Sequence, residues 1–221
     1  MEKESIKKHV RELLFKRNIN ELADLCQVNR HYWQEVKFSL YELDKRILWS
    51  AIETSAEVIK RWWNYGNNEK VRVYIRNLFW SMNDESGGIG WNSPCLIAEI
   101  IHNIPELINP YGSMMIAYSI DEPPLVRGCL WGVGRIGNPI LDSVRFFEKK
   151  ILDVFNTNDI ETLGLAAWAL GEVGLKSSLP FLNRLLDKEE KVIIYVNGNF
   201  IERKVKEWAK ESINKLKISR T

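Results

Sequence analysis

The chain has 221 residues and a mass of 25.8 kDa, with 45% apolar and 27% charged residues. This composition is that of an ordinary soluble globular protein, and it excludes disordered, collagen-like and membrane-embedded classes. Two features are less ordinary: the chain holds nine tryptophans, and its net charge of +2 conceals a strong internal segregation.

The N-terminus alternates acidic and basic residues and lacks the apolar core of a signal peptide, so we expect a cytoplasmic protein. The longest apolar runs are far shorter than the roughly 20 residues of a membrane span. Three cysteines at spacings of 69 and 34, and three scattered histidines, match neither a disulfide framework nor a metal-ligand motif. We therefore expect no metal and no other cofactor.

The first 66 residues carry apolar residues at helical spacing. The positions step by three and four, and they are Ile6, Val10, Leu13 and Leu14, then Ile19, Leu22, Ala23 and Leu25, then Trp33, Val36 and Leu40, and finally Ile47, Leu48, Ala51, Ile52, Val58 and Ile59. This period predicts amphipathic α-helices that each bury one face.

A glycine-rich segment from Asn83 to Gly90 leads into Trp91. Its three glycines allow backbone conformations that are closed to other residues. The segment lacks the lysine and hydroxyl of a phosphate-binding loop, and its acids suit a cation, a basic partner or helix capping. The candidate binding residues here are Asn83, Asp84, Glu85, Ser86 and Trp91, with a purely structural connection as the alternative.

Internal similarity marks the middle of the chain. The aligned segments are residues 94–100, 130–137 and 167–174, and they place a small residue at Ala98, Gly134 and Gly171, with separations of 36 and 37. This period is typical of stacked helix pairs. A small residue there lets adjacent helices approach closely where they cross. Gly137 and Gly174 stand where helix ends favour a left-handed residue.

The segment from Lys191 to Arg203 breaks the helical pattern. Two β-prone runs flank Asn197-Gly198, and this dipeptide favours the type I′ turn of a β-hairpin. A last amphipathic helix follows, with Val205, Trp208, Ala209, Ile213 and Leu216 on one face. We expect it to cap the last repeat.

The stretch from Gly164 to Gly174, followed by Ser178 to Leu186, resembles HEAT-like repeats of the phycobilisome-lyase type. Their pattern is a small-residue helix that ends in Leu-Gly-x-Ile/Val-Gly, and the resemblance covers residues 68 to 188. The segment WSMNDESGGIGW is similar to one shared by a small group of prokaryotic HEAT-repeat proteins without an established activity. The resemblance and the hairpin together imply an all-α, HEAT-like α-α superhelix of armadillo type with a small β-hairpin near the C-terminus. One solenoid domain would hold N-terminal helices in residues 1–66, repeats in 67–188, and the hairpin with its capping helix in 189–221.

Each repeat helix carries two aligned positions four residues apart, which project from one side. These pairs, the paired stripe, are Cys95 with Glu99, Trp131 with Arg135, and Trp168 with Glu172, with Trp91 and Arg127 one turn upstream. The opposite side, Ile97, Ile100, Val133, Ile136, Leu170 and Val173, is expected to fill the core. Arg135 should lie between Glu99 and Glu172. A ladder of this kind can be purely structural, or it can be a concave binding face with aromatic platforms. Trp33, Trp49, Trp62, Trp63 and Trp80 are expected to be packing residues.

Charge is segregated along the chain. Residues 77–126 contain no Lys or Arg but six acids, so this block carries −6 and the remaining residues carry +8. An acidic centre between basic flanks favours a basic peptide or a cation over DNA.

Three functions remain open from the sequence. The favoured one is a non-catalytic scaffold that binds a protein or peptide, of basic character, on the concave Trp and charged face. We expect no catalysis because no nucleophile can be paired with a base in the sequence. The alternatives are a nucleic-acid-binding protein similar to DNA alkylation-repair HEAT proteins, and a tetrapyrrole lyase or chaperone, which the repeat type suggests only by analogy.

Overall fold

The computed structural model describes residues 3–83 and 90–218. These residues form thirteen α-helices and one two-stranded antiparallel hairpin, and this confirms the predicted all-α fold with a small hairpin near the C-terminus. The first helices are α1 Lys3–Phe15, α2 Ile19–Val28, α3 Arg30–Ser39, α4 Lys45–Asn64 and α5 Asn68–Met82. The next are α6 Ser93–Asn103, α7 Ile108–Ser119, α8 Val126–Ile136, α9 Leu141–Phe146 and α10 Glu148–Asp153. The last elements are α11 Ile160–Val173, α12 Leu179–Asn183, β1 Lys191–Val196, β2 Asn199–Lys204 and α13 Val205–Ile218.

The helices group into two compact units, with the boundary between Leu78 and Phe79 in α5. In the first unit, the 20-residue helix α4 contacts α1, α2 and α3. Its start is fixed by Asp44, whose side chain accepts a hydrogen bond from the Arg46 backbone N–H. Apolar residues at helical spacing on all four helices close this core. The division into N-terminal helices, repeats and cap stays a prediction.

In the second unit, α6, α8, α11 and α13 pack in that order, each against the next. The first three of these helices carry the aligned segments, so the sequence period corresponds to consecutive helices of one layer. The predicted core side is buried throughout, with Ile97, Ile100, Val133, Leu170 and Val173 at 0% exposure and Ile136 at 4%. Gly137 (φ 72°) and Gly174 (φ 85°) end α8 and α11, as expected.

The small residues of the repeat allow close helix approach, as predicted. A methyl group on Gly134 would lie 2.5 Å from the Trp168 ring, and one on Gly171 would lie 2.1 Å from Ser212 Oγ. No side chain fits at either distance without a shift of its neighbours. The spacing of the α8–α11 and α11–α13 contacts therefore depends on glycine.

The hairpin and the last helix form where they were predicted. Asn197 and Gly198 both have positive φ, 48° and 85°, which is the conformation of the expected tight turn. The registers Val196 with Asn199 and Lys191 with Lys204 close the ladder at its two ends. Helix α13 buries the five predicted apolar residues, and Ser212 Oγ donates to the carbonyl of Ala167 at 2.6 Å.

Neither a membrane-spanning helix nor a metal-ligand cluster occurs among the described residues. Across 3–83 and 90–218, no helix is both long and apolar enough to cross a membrane. The same residues contain no group of three or more His, Cys, Asp or Glu side chains placed to hold a metal ion.

Candidate binding surfaces

The two tryptophans of the paired stripe are buried, and the hairpin packs against their helices. Trp131 is 3% exposed and Trp168 is 5% exposed, and Trp131 Nε1 donates to the Tyr195 carbonyl of β1 at 2.7 Å. A methyl group on Gly164 would lie 2.4 Å from Val192 of β1, so the strand lies directly on α11. The expectation that Trp131 and Trp168 are aromatic platforms is therefore wrong, because the chain's own strand covers them.

Glu99 and Arg135 form a buried ion pair. Arg135 Nε and one terminal nitrogen reach the two Glu99 carboxylate oxygens at 2.6 and 2.8 Å. The Glu99 side chain is 6% exposed, and Asn103 Nδ2 also donates to it at 3.1 Å. The other terminal nitrogen of Arg135 donates to Asn197 Oδ1 at the hairpin turn, at 2.7 Å. This rung of the expected ladder exists, and it also holds the hairpin.

Glu172 accepts a hydrogen bond from Lys215 of α13 at 2.6 Å. Arg127 lies elsewhere: it donates to both Asp159 oxygens at 2.7 and 2.9 Å and also pairs with Glu161. Asp159 caps α11, so Arg127 fixes the start of that helix. Eight residues separate Arg127 from Arg135 on α8, about 12 Å along the axis, so they serve two different contacts.

A cavity of about 250 Å³ remains beside the hairpin turn. It is lined by His102, Arg135, Trp168, Glu172, Tyr195 and Asn197, among others. Burial and the positive charge of Arg135 lower the pKa of His102, which favours its neutral form.

Burial raises the pKa of the Cys95 and Cys129 thiols to about 12, so neither is a thiolate at neutral pH.

Two tryptophans of the second unit are exposed, Trp80 at 79% and Trp91 at 65%. They flank a backbone hydrogen bond in which the Gly90 N–H donates to the Ser81 carbonyl at 3.0 Å. Ser81 Oγ and Ser93 Oγ lie 3.0 Å apart beside it, and a Cβ on Gly90 would collide with both. A side chain at residue 90 would therefore have to displace both hydroxyls, and the Gly90–Ser81 bond brings Trp80 and Trp91 next to the same bonded pair of residues. We call this the Trp80/Trp91 surface.

The prediction for Trp80 as a packing residue is wrong, whereas Trp91 is exposed as a binding residue must be. Asn83 is also exposed. The candidate residues Asp84, Glu85 and Ser86 lie outside the described residues. Of the eleven candidates, Glu99, Arg135 and Glu172 lie near the hairpin turn or α13, Arg127 pairs with the start of α11, and Trp131 and Trp168 are packed.

Sequence reasoning missed the partners that cover the stripe, among them Tyr195, Asn197 and Lys215. A signal for them existed, because α11 is apolar nearly all round and such a helix is buried on more than one side. The stripe side of α11 must therefore pack against a second element, and the β-prone run after the last repeat is a segment that can do so.

No family model matches the chain. A protein of Archaeoglobus fulgidus described as uncharacterized is 26% identical over 167 residues, covering 75% of this chain and 87% of that protein. A designed armadillo repeat protein in complex with the peptide (KR)4 aligns with a TM-score of 0.60 at 14% identity, covering 96% of this chain and 92% of that one. Computationally designed armadillo repeat proteins for modular peptide recognition align with a TM-score of 0.54 at 14% identity, covering 97% of this chain and 94% of that one. The chain therefore has an armadillo-like helical repeat fold, and its closer assignment to the phycobilisome-lyase type stays a prediction.

Proposed function

We propose that the protein is a non-catalytic scaffold that binds a basic peptide on its second unit, with the Trp80/Trp91 surface as the aromatic anchor. The observation that carries the proposal is the exposure of these two indoles on either side of one fixed backbone contact. Tryptophan is enriched among the residues that dominate binding energy at protein interfaces.

The charge of the surrounding sequence supports a basic partner. Residues 77–126 contain six acids and no Lys or Arg. Arg135 and Lys150 neutralise Glu99 and Asp121 from outside this block, and the other acids keep it negative. Lysine and arginine side chains are attracted to such a surface and also bind over the face of an indole ring. The structurally similar designed protein that was solved with (KR)4 makes this peptide a suitable probe.

The paired stripe has a different part in this proposal. Its tryptophans and its ion pairs hold α8, α11, α13 and the hairpin together, so they support the surface without contacting the peptide. A scaffold that binds a basic peptide in this way needs no nucleophile and no cofactor.

The test is a titration of the protein with a (Lys-Arg)4 peptide, followed by calorimetry and tryptophan fluorescence. We expect a Kd of about 1–100 μM at low salt, weaker at high salt, and no binding of an (Asp-Glu)4 peptide. Trp80→Ala and Trp91→Ala should each weaken binding about tenfold or more. Tyr65→Ala is the matched control, because Tyr65 is 75% exposed but belongs to the first unit.

Unchanged affinity in both tryptophan variants, or no binding at about 1 mM peptide, would contradict the proposal. Retardation of a DNA duplex with an affinity above that for the peptide would favour the nucleic-acid alternative instead.

A further inference from the structure

A groove in the first unit contains a buried carboxylate. The groove lies between α1 and α3, with a volume of about 600 Å³, which is within the range of small-molecule sites. Lys3, Lys7 and Arg11 line it from α1, and Glu35 and Phe38 line it from α3. These residues are distant in sequence from every candidate that the sequence suggested.

Glu35 is 8% exposed, yet its carboxylate has no partner among residues 3–83 and 90–218. Its backbone carbonyl accepts from Ser39 Oγ at 2.9 Å, which leaves the side chain free. Its carboxylate oxygens are not among the fully buried side-chain atoms without a partner in the described ranges, so they open into the groove. The groove therefore offers a carboxylate suited to an ammonium group.

The rim of the groove differs in charge from this carboxylate. Lys3 and Lys7 are exposed, and neither forms an ion pair with another residue in the described ranges. Arg11, in contrast, is held by Glu42 at 2.6 Å. Glu4 also borders the groove and offsets one of the two lysines. The groove therefore has one net positive charge at its rim, from Lys3, Lys7 and Glu4, and one unpaired negative charge inside, on Glu35.

We propose that this groove binds a small zwitterion of the amino-acid type. The ammonium group would pair with Glu35, and the carboxylate would lie toward Lys7 and Lys3. Val10, which is 1% exposed, and Phe38, which is 66% exposed, supply apolar surface for the ligand side chain. The site belongs to the first unit and does not depend on the proposed function.

The test is a titration of the ¹⁵N-labelled protein with L-leucine, followed by the backbone amide signals. We expect shifts in α1 and α3 that saturate with a Kd of about 1 mM or below. N-acetyl-L-leucine lacks the ammonium group and should not bind, and L-leucinamide lacks the carboxylate and should bind several-fold more weakly. Glu35→Gln should weaken leucine binding tenfold or more, whereas Glu12→Gln, an exposed acid on α1 that does not line the groove, should leave it unchanged.

Glu35→Gln keeps the side-chain shape and removes a charge that no other described residue pairs with, so we expect a folded protein, and its thermal unfolding checks this. Lys7→Met provides a second variant: it should weaken leucine several-fold but leave leucinamide unaffected. The proposal is overturned if leucine causes no shifts at about 20 mM or if N-acetyl-leucine binds equally well. It is also overturned if neither Glu35→Gln nor Lys7→Met changes the affinity for leucine.

Discussion

Thr54, in the middle of α4, is fully buried, and its hydroxyl has no hydrogen-bond partner within the described residues. A buried hydroxyl without a partner costs free energy on folding, and valine has nearly the same shape without this cost. We predict that Thr54→Val raises the free energy of unfolding by about 1 kcal/mol, measured by urea denaturation.

Thr162 is the matched control for this substitution. It is 5% exposed, and its hydroxyl donates to Asp159, the residue that caps α11. Thr162→Val should lower the free energy of unfolding by about 1 kcal/mol. A loss of stability in Thr54→Val as well would show that the Thr54 hydroxyl is satisfied in solution, for example by a buried water molecule.

The Glu99–Arg135 pair gives a prediction of opposite sign. Arg135→Met would leave a carboxylate that is 6% exposed without its cation. Breaking a buried ion pair in this way costs about 3 kcal/mol or more, so we expect a large loss of stability in chemical denaturation.

Replacing both partners should restore much of this loss. In Glu99→Leu/Arg135→Met no unpaired charge remains, and apolar groups of similar volume fill the space. A double variant as unstable as Arg135→Met alone would contradict this account and would place the cost in the contact of Arg135 with Asn197.

At the scale of the elements, Gly134 sets the contact between α8 and α11. An added methyl group would lie 2.5 Å from the Trp168 ring, which is itself buried and cannot move aside freely. We predict that Gly134→Ala lowers the free energy of unfolding by about 1–3 kcal/mol, measured by thermal and urea unfolding.

Gly128 is on the same helix and serves as the control. A methyl group there would lie 3.4 Å from Cys95 Sγ and from Pro94, which is at the edge of ordinary contact. Alanine also favours helix formation, so Gly128→Ala should be neutral or stabilising by up to about 1 kcal/mol. Equal destabilisation by both substitutions would exclude the packing explanation.

The elements themselves could largely be predicted from the sequence, because each depends on local signals. The period of apolar residues predicted the helices, Asn197-Gly198 predicted the hairpin, and Gly137 and Gly174 predicted two helix ends. The place where the hairpin docks could not be predicted in this way. It depends on the Trp131–Tyr195 and Arg135–Asn197 contacts, which join residues more than sixty positions apart.

For the molecule as a whole, the candidate site was harder to predict than the fold. The spacing of Trp131 and Trp168 correctly placed them on one side of their helices, but spacing does not reveal which side meets solvent. Trp80 was misjudged for the converse reason, since a tryptophan at the end of an amphipathic helix gives no local sign of exposure. Glu35 was overlooked because a single acid on a polar helix face is ordinary in sequence, and only its burial makes it unusual.

The most direct test of the proposed function follows the indole N–H signals of the ¹⁵N-labelled protein when a (Lys-Arg)4 peptide with a nitroxide spin label is added. The nine tryptophans give separate probes in both units. The proposal predicts strong paramagnetic broadening of the Trp80 and Trp91 indole signals, with the signals of Trp33, Trp49, Trp62 and Trp63 in the first unit remaining sharp. Broadening centred on the first unit, or no selective broadening under conditions where the peptide binds, would contradict it.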